Sequence, residues 1–182
     1  MAWDWLKRMT ARYFGRDGDI ALPLYNAVVR HAREPRWYVE GAVPDTVDGR
    51  FDMIAAVLSL VLIRLEVEPE GAVPAARLTE RFVTDMDGQL RELGIGDIVV
   101  GKHIGRMMAM LGGRLTAYRD GLTGEAPTGE AGALDAALVR NLYRGAAPAD
   151  PAAVPHVREA LRALHERLAA VPLARLILGE LP

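Results

Sequence analysis

Residues 53–63 form an eleven-residue apolar run broken only by Ser59, with Asp52 and Arg64 closing its two ends. A bilayer-spanning helix needs about 20 such residues, so this run is too short to cross a membrane. A helix that is apolar all round must instead be walled in by other protein elements or lie at an interface. Every other segment of the chain is therefore read for its capacity to supply a wall.

The walls are amphipathic helices. Residues 3–15 make a first such segment, ended by Gly15. Asp19 can cap a second helix, with Ile20, Leu24, Tyr25, Val28 and Val29 on one face and Pro23 in its first turn, where a missing N–H costs little. Pro35 opens a short helix carrying Trp37 and Tyr38, residues 41–44 are a turn, and Asp45 or Thr46 caps the apolar helix, which extends to Leu65. Residues 66–74, with Pro69, Gly71 and Pro74, read as a loop. A helix over 75–93 places Leu78, Phe82, Met86, Leu90 and Leu93 along one stripe, and Gly94 and Gly96 stop it.

The next helix, 100–122, aligns Ile104, Met107, Met108, Leu111, Leu115 and Tyr118. Gly112 and Gly113 inside it each cost about 1 kcal/mol relative to Ala, which predicts close helix packing or a kink there. Residues 121–132 are rich in Gly and read as a mobile linker, and helices at 133–144, 153–171 and 173–179 follow. No stretch alternates convincingly with a period of two, and no internal repeat is present. The expected fold is all-α, a single domain over residues 1–182 with a C-terminal helical hairpin.

Composition narrows the function classes. With 51% apolar and 25% charged residues the chain is an ordinary globular protein, and a net charge of −2 argues against a general nucleic-acid binder. The absence of cysteine excludes disulfides, thiolate metal sites and a cysteine nucleophile. The single serine, Ser59, lies mid-helix, where its hydroxyl is expected to bond the carbonyl four residues back. No two of the four histidines have an HxxxH or HxH spacing, so the sequence gives no reason to expect a metal site. The string from Gly96 to Gly101-Lys102 has the letters of a phosphate-binding loop, but His103 stands where magnesium needs Ser or Thr, and the string follows a helix instead of a strand.

Charged residues supply the remaining candidates. Asp45, Asp48 and Asp52 flank the start of the apolar helix, with Asp48 and Asp52 four apart on one face. Two carboxylates so placed suit a cation or a shared proton, while a helix start also favours acidic caps. Arg50 is within reach of Asp45. Asp85 and Asp87 precede Gly88 in a continuous helical pattern without the further ligands calcium requires, and Asp87 pairs by spacing with Arg91. At the N-terminus, Trp3, Trp5, Leu6, Met9, Tyr13 and Phe14 oppose Lys7, Arg8, Arg12 and Arg16, and with Asp4 the segment 1–16 carries a net charge of +3. Such a pattern suits either an anionic membrane surface, with Trp3, Trp5, Lys7, Arg8 and Arg12 in contact, or packing on the body.

Longer strings carry a resemblance. Tyr25-Asn26-Ala27-Val28-Val29, Trp37-Tyr38 and Gly41-Ala42-Val43-Pro44-Asp45-Thr46-Val47-Asp48-Gly49-Arg50-Phe51-Asp52-Met53 are followed by Asp85-Met86-Asp87, Leu90-Arg91-Glu92-Leu93-Gly94-Ile95-Gly96-Asp97 and Val100-Gly101-Lys102. Then come Gly113-Arg114-Leu115 and Arg140-Asn141-Leu142-Tyr143-Arg144-Gly145. Over residues 12–145 the chain resembles the ubiquinol–cytochrome c chaperone family, with Gly112 departing from a larger residue expected there.

The resemblance implies a non-catalytic, cofactor-free assembly factor for respiratory complex III. It would bind newly made cytochrome b or another subunit, act with a small protein partner, and bind no nucleic acid. The family strings begin within about 25 residues of Met1, so the resemblance points to a bacterial member, cytoplasmic or peripheral on the cytoplasmic face of the inner membrane. On this reading Asp45, Asp48, Arg50, Asp52, Asp85, Asp87, Arg91 and Lys102 are client-binding candidates. A lipid-binding helical protein acting through residues 1–16 is the alternative.

Overall fold

The computed structural model describes residues 20–92, 100–124 and 132–182. These form α1 (Leu22–Ala32), α2 (Pro35–Tyr38), α3 (Val47–Leu65), a 3₁₀ turn (Pro69–Gly71), α4 (Ala72–Glu92), α5 (Val100–Thr123), α6 (Ala133–Leu142), α7 (Ala153–Ala170) and α8 (Leu173–Ile177). No strand occurs among the described residues. The predicted helix at 3–15 and the Asp19 cap lie outside them.

The apolar run is the axis of the molecule. Helix α3 packs against α1, α4, α5, α6 and α7. Met53, Ala56, Val57, Leu58, Leu60, Val61 and Leu65 are buried around its whole circumference. Each neighbour turns its apolar stripe inward: Leu24 and Val28 of α1, Leu78, Phe82 and Met86 of α4, Leu111, Leu115 and Tyr118 of α5, Leu138 and Leu142 of α6, and Val157, Leu161, Leu164 and Leu168 of α7. Fully burying one Leu-sized side chain is worth about 1.5–3 kcal/mol, so this shared core dominates the fold.

Two buried hydroxyls are satisfied within their own helices. Ser59 Oγ donates to the Ala55 carbonyl at 2.7 Å, as its position predicts, and Thr79 Oγ1 does the same to Ala75 at 2.9 Å. The carbonyls left over at the end of α1 are taken by the aromatics of α2. Trp37 Nε1 donates to His31 O and Tyr38 OH to Ala32 O, both at 2.7 Å. Arg64, which closes the apolar run, is buried and crosses to α7. Its Nε donates to Leu168 O at 3.1 Å and its Nη2 to Val171 O at 2.9 Å, so a side chain of α3 caps the C-terminus of α7. Glu68 balances the charge at 2.7 Å.

Several boundaries differ from the sequence reading. The loop after α3 is shorter than 66–74, because Pro74 falls in the first turn of α4, where its missing N–H has no helical acceptor to leave empty. Ile20 precedes α1 and is exposed, not part of its buried face. Of the Gly112-Gly113 pair, where close packing or a kink is expected, Gly113 makes no close approach among the described residues: a Cβ there would meet nothing within 4 Å. The close approach occurs at Gly121, whose Cβ would lie 2.8 Å from Leu134 Cα. Gly121 therefore belongs to α5 and to its seam with α6, not to a linker, and residues 125–131 of that predicted linker lie outside the described set. The C-terminal pair is integral to the body, with α7 on α3 and α6, and α8 on α1.

Two predictions follow from the buried polar groups. Arg64→Leu strips the C-terminal carbonyls of α7 of their donors and should cost about 2–3 kcal/mol in urea denaturation, with the denaturant slope unchanged. His31 is buried between Glu34, 3.0 Å from Nδ1, and Arg36, 3.0 Å from Nε2. Burial lowers its pKa from the ordinary 6.5, Glu34 opposes that, and Arg36 and Arg167 reinforce it. The unfolded chain then binds a proton that the folded chain refuses. The stability this group contributes is complete above 6.5 and is lost as pH falls from 6.5 through the lowered folded value. His31→Gln should flatten that limb of the stability–pH curve.

Candidate functional site

The turn before α3 and the end of α6 meet over a buried carboxylate. Thr46 is the N-cap of α3, its Oγ1 accepting from Gly49 N at 3.1 Å. A Cβ on Gly49 would lie 1.9 Å from Pro44 O, so the turn can fold over the helix start only with glycine there. Asp45 and Arg50 are both exposed and pair at 2.6 Å, and each stabilises the charged form of the other. Tyr143 OH donates to Gly41 O at 2.5 Å and fastens the end of α6 to the same turn, and burial pushes its pKa up to about 12.

Asp52 lies one helical turn beneath Asp48 and is 1% exposed. Its Oδ1 accepts from Arg114 Nη2 of α5 at 2.5 Å, and its Oδ2 from Arg144 Nε at 3.2 Å. Arg144 also reaches Asp48 Oδ2 through Nη1 at 2.9 Å, while remaining 58% exposed. Arg114 is buried, and its guanidinium lies 5.4 Å from the Phe51 ring centroid. Below the pair the Tyr118 hydroxyl and the Asn141 side chain are buried next to one another, and Arg114 Nη1 is buried with no hydrogen-bond partner among the described residues. Burial raises the Tyr118 pKa, which keeps that phenol neutral.

Two carboxylates on one helix face are thus joined by one arginine from outside and anchored by another from inside. Arg144 holds this position with φ +53°, a left-handed conformation rare for a residue with a side chain, and Gly145 follows at φ +87°. A guanidinium that is partly in water and partly on a buried carboxylate is a fixed, oriented charge and can set the register of an incoming charged segment.

The remaining candidates are dispersed. Asp85 lies on α4, half-buried, and accepts from Tyr25 OH of α1 at 2.7 Å. The side chains of Asp87, Arg91 and Lys102 lie outside the described residues, as do Trp3, Trp5, Lys7, Arg8 and Arg12. Arg114 and Arg144 appear in the family-like strings but not among the sequence-derived candidates. One signal did point towards them: a carboxylate abutting an apolar run demands a cation, although 20 of the 22 basic residues other than histidine are arginines and spacing cannot choose among them. Among the described residues no three His, Asp or Glu side chains gather as metal ligands, and no helix is long and apolar enough to cross a membrane.

Breaking the buried pair should be costly. Asp52→Ala leaves Arg114 charged and unpaired in the core and should destabilise by about 3–5 kcal/mol. The double variant Asp52→Ala/Arg114→Met should recover part of that loss, and a double-mutant cycle in chemical denaturation measures the coupling.

Comparison with known proteins agrees with this architecture. A family model described as ubiquinol-cytochrome C chaperone matches residues 40–181. The structure is similar to the crystal structure of the Cbp3 homolog from Brucella abortus, with 30% sequence identity and a TM-score of 0.75, over 100% of this chain and 95% of that one. No curated protein matches in sequence. With a match that spans most of its length, the chain belongs to the ubiquinol–cytochrome C chaperone family.

Proposed function

We propose that this protein is a non-catalytic assembly chaperone that holds newly made cytochrome b through the face built on Asp45, Asp48, Arg50 and Arg144. Family membership supports a role in assembling the ubiquinol–cytochrome c reductase complex. The observation that carries the site assignment is the pinned Arg144, exposed yet tied to both Asp48 and the buried Asp52. Val39 and Val47 stand exposed at the two ends of the same turn and offer apolar contact beside the charges. Such a surface divides the work: charges select the partner and speed encounter, while apolar contacts retain it.

Asp52 acts from within, orienting Arg144 without reaching the client itself. Asp85, Asp87, Arg91 and Lys102, on α4 and α5, are further candidates for client contact in this proposal. The client segments are the cytoplasmic loops or termini of cytochrome b, held during haem insertion or subunit docking. A small protein partner completes the complex, and the work is done at the cytoplasmic face of the inner membrane.

The test is co-purification from gently solubilised native membranes, read by mass spectrometry and haem absorbance. Cytochrome b should be enriched above other abundant membrane proteins. Asp48→Arg and Arg50→Glu, both at exposed positions, should each lower that enrichment about tenfold while thermal unfolding stays within a few degrees of wild type. Undiminished capture by both variants would overturn the assignment of this face.

A further inference from the structure

We infer that His31 is a proton-operated switch for the side chain of Arg36. When the His31 ring takes up a second proton, Arg36 leaves it and becomes a free positive charge on α2, at the edge of the turn that bears Asp45 and Arg50. The regulatory consequence rests on the reading of that turn as the client face, whereas the switch rests on the contacts of the ring. His31, Glu34 and Arg36 form a closed circuit: Nδ1 of the imidazole lies 3.0 Å from Glu34 Oε1, Nε2 lies 3.0 Å from Arg36 Nη2, and Arg36 Nε lies 2.8 Å from Glu34 Oε2. A carboxylate can only accept and a guanidinium can only donate. The two partners therefore fix the ring as neutral, with its proton on Nδ1 and the lone pair of Nε2 turned to Arg36. Among the described residues the other charge acting on the ring is Arg167 of α7, and the Trp37 ring stands 5.9 Å away. Neither offers a lone pair to a proton on Nε2.

A second proton can go only to Nε2. There it sets an N–H against the N–H of Arg36, two donors without an acceptor and two like charges 3.0 Å apart. The arginine is the partner that yields, because Arg36 is 34% exposed and His31 only 7%. Glu34 keeps its contact with Nδ1. It is balanced by Arg36 before the proton arrives and by the imidazolium afterwards, so one proton taken from solvent frees one guanidinium. Arg36 also gives up its place over the Trp37 ring, 4.7 Å from the centroid. The backbone does not follow. Trp37 Nε1 donates to the carbonyl of His31 and not to its ring, and Arg36 O accepts from Gly41 N at 3.0 Å, so α2 keeps its seat. Tyr38 of the same short helix is acted on by Arg50 and Asp45, which puts the freed charge beside the client face. Burial, opposed by Glu34 and reinforced by Arg36 and Arg167, holds the His31 pKa below the ordinary 6.5. Arg36 is therefore docked at neutral pH and released on acidification.

Heteronuclear NMR of the full-length protein tests this. At about pH 7 the His31 ring should show the Nδ1–H tautomer, and the Arg36 Nε–H signal, identified by its loss in Arg36→Met, should stand apart from those of exposed arginines. On titration to about pH 5 the Arg36 signal should move to the exposed position with the same midpoint as the His31 ring, below 6.5, while helical circular dichroism stays unchanged. Arg36→Met should raise the His31 midpoint and Glu34→Gln should lower it, shifts that a merely structural contact would not produce together. An Nε2–H tautomer at about pH 7, or an Arg36 signal that stays in place while His31 titrates, would overturn the inference. Capture of cytochrome b by the wild type, relative to Arg36→Met, should change at least about threefold between about pH 7 and about pH 5, and identical pH dependence in the two would overturn the regulatory role. Capture by neither at either pH, with the NMR signature intact, would overturn the client reading and leave the switch standing.

Discussion

Asp52 and Arg64, the two charges that bracket the apolar run of α3, are both buried, and each reaches across to helices far away in sequence. Much of the structure depends on that arrangement. A helix that is apolar on all sides cannot tell its neighbours where along its length to sit, because any apolar stripe slides against it at little cost. A buried charge at each end removes the freedom, since a neighbour out of register would leave an ion without a partner in a medium of low dielectric. Asp52 places α5 through Arg114 and the end of α6 through Arg144. Arg64 places α7 through the carbonyls of Leu168 and Val171.

These bonds are better understood as specifying the packing than as its main source of stability. Desolvating a carboxylate and a guanidinium offsets most of their attraction, and a well-packed apolar pair would hold the core as well or better. The large favourable term is the shared burial of leucine, valine and aromatic side chains around α3. The ions make alternative registers costly, and Arg114 Nη1, buried with no hydrogen-bond partner among the described residues, shows that the cluster tolerates some unmet hydrogen bonding to do so.

The same geometry links core to surface. Arg144 belongs to both, since one end of its guanidinium rests on a buried carboxylate and the other meets Asp48 in water. Flexible surface arginines contribute little to recognition because ordering them on binding costs entropy, whereas one already ordered by the core does not incur that cost again. A surface that recognises a partner gains from such preorganised charge. Glycine at position 49 and the Tyr143 hydroxyl on Gly41 serve the same end by pressing the turn onto the start of α3.

Much of the fold was legible in order along the chain. The short helix at Pro35, the turn after it, the extent of α3, the stripe on α4 from Leu78 to Met86 and the internal bond of Ser59 all follow from proline and capping chemistry and from helical periodicity, which are local, while Leu90, Leu93, Gly94 and Gly96 lie outside the described side chains. Legibility failed where a distant element decided. Gly113 and Gly121 look alike in sequence, and only the approach of Leu134 makes the second one necessary. Asp48 and Asp52 were visible as a pair on one face, yet their partners Arg114 and Arg144 stand 62 and 92 residues beyond Asp52. By itself the sequence determined that a central helix must be enclosed by amphipathic ones, because apolar periodicity is a property of neighbouring residues. Only the tertiary structure decided which of many arginines neutralises Asp52, because that choice depends on which helix faces meet and at what height.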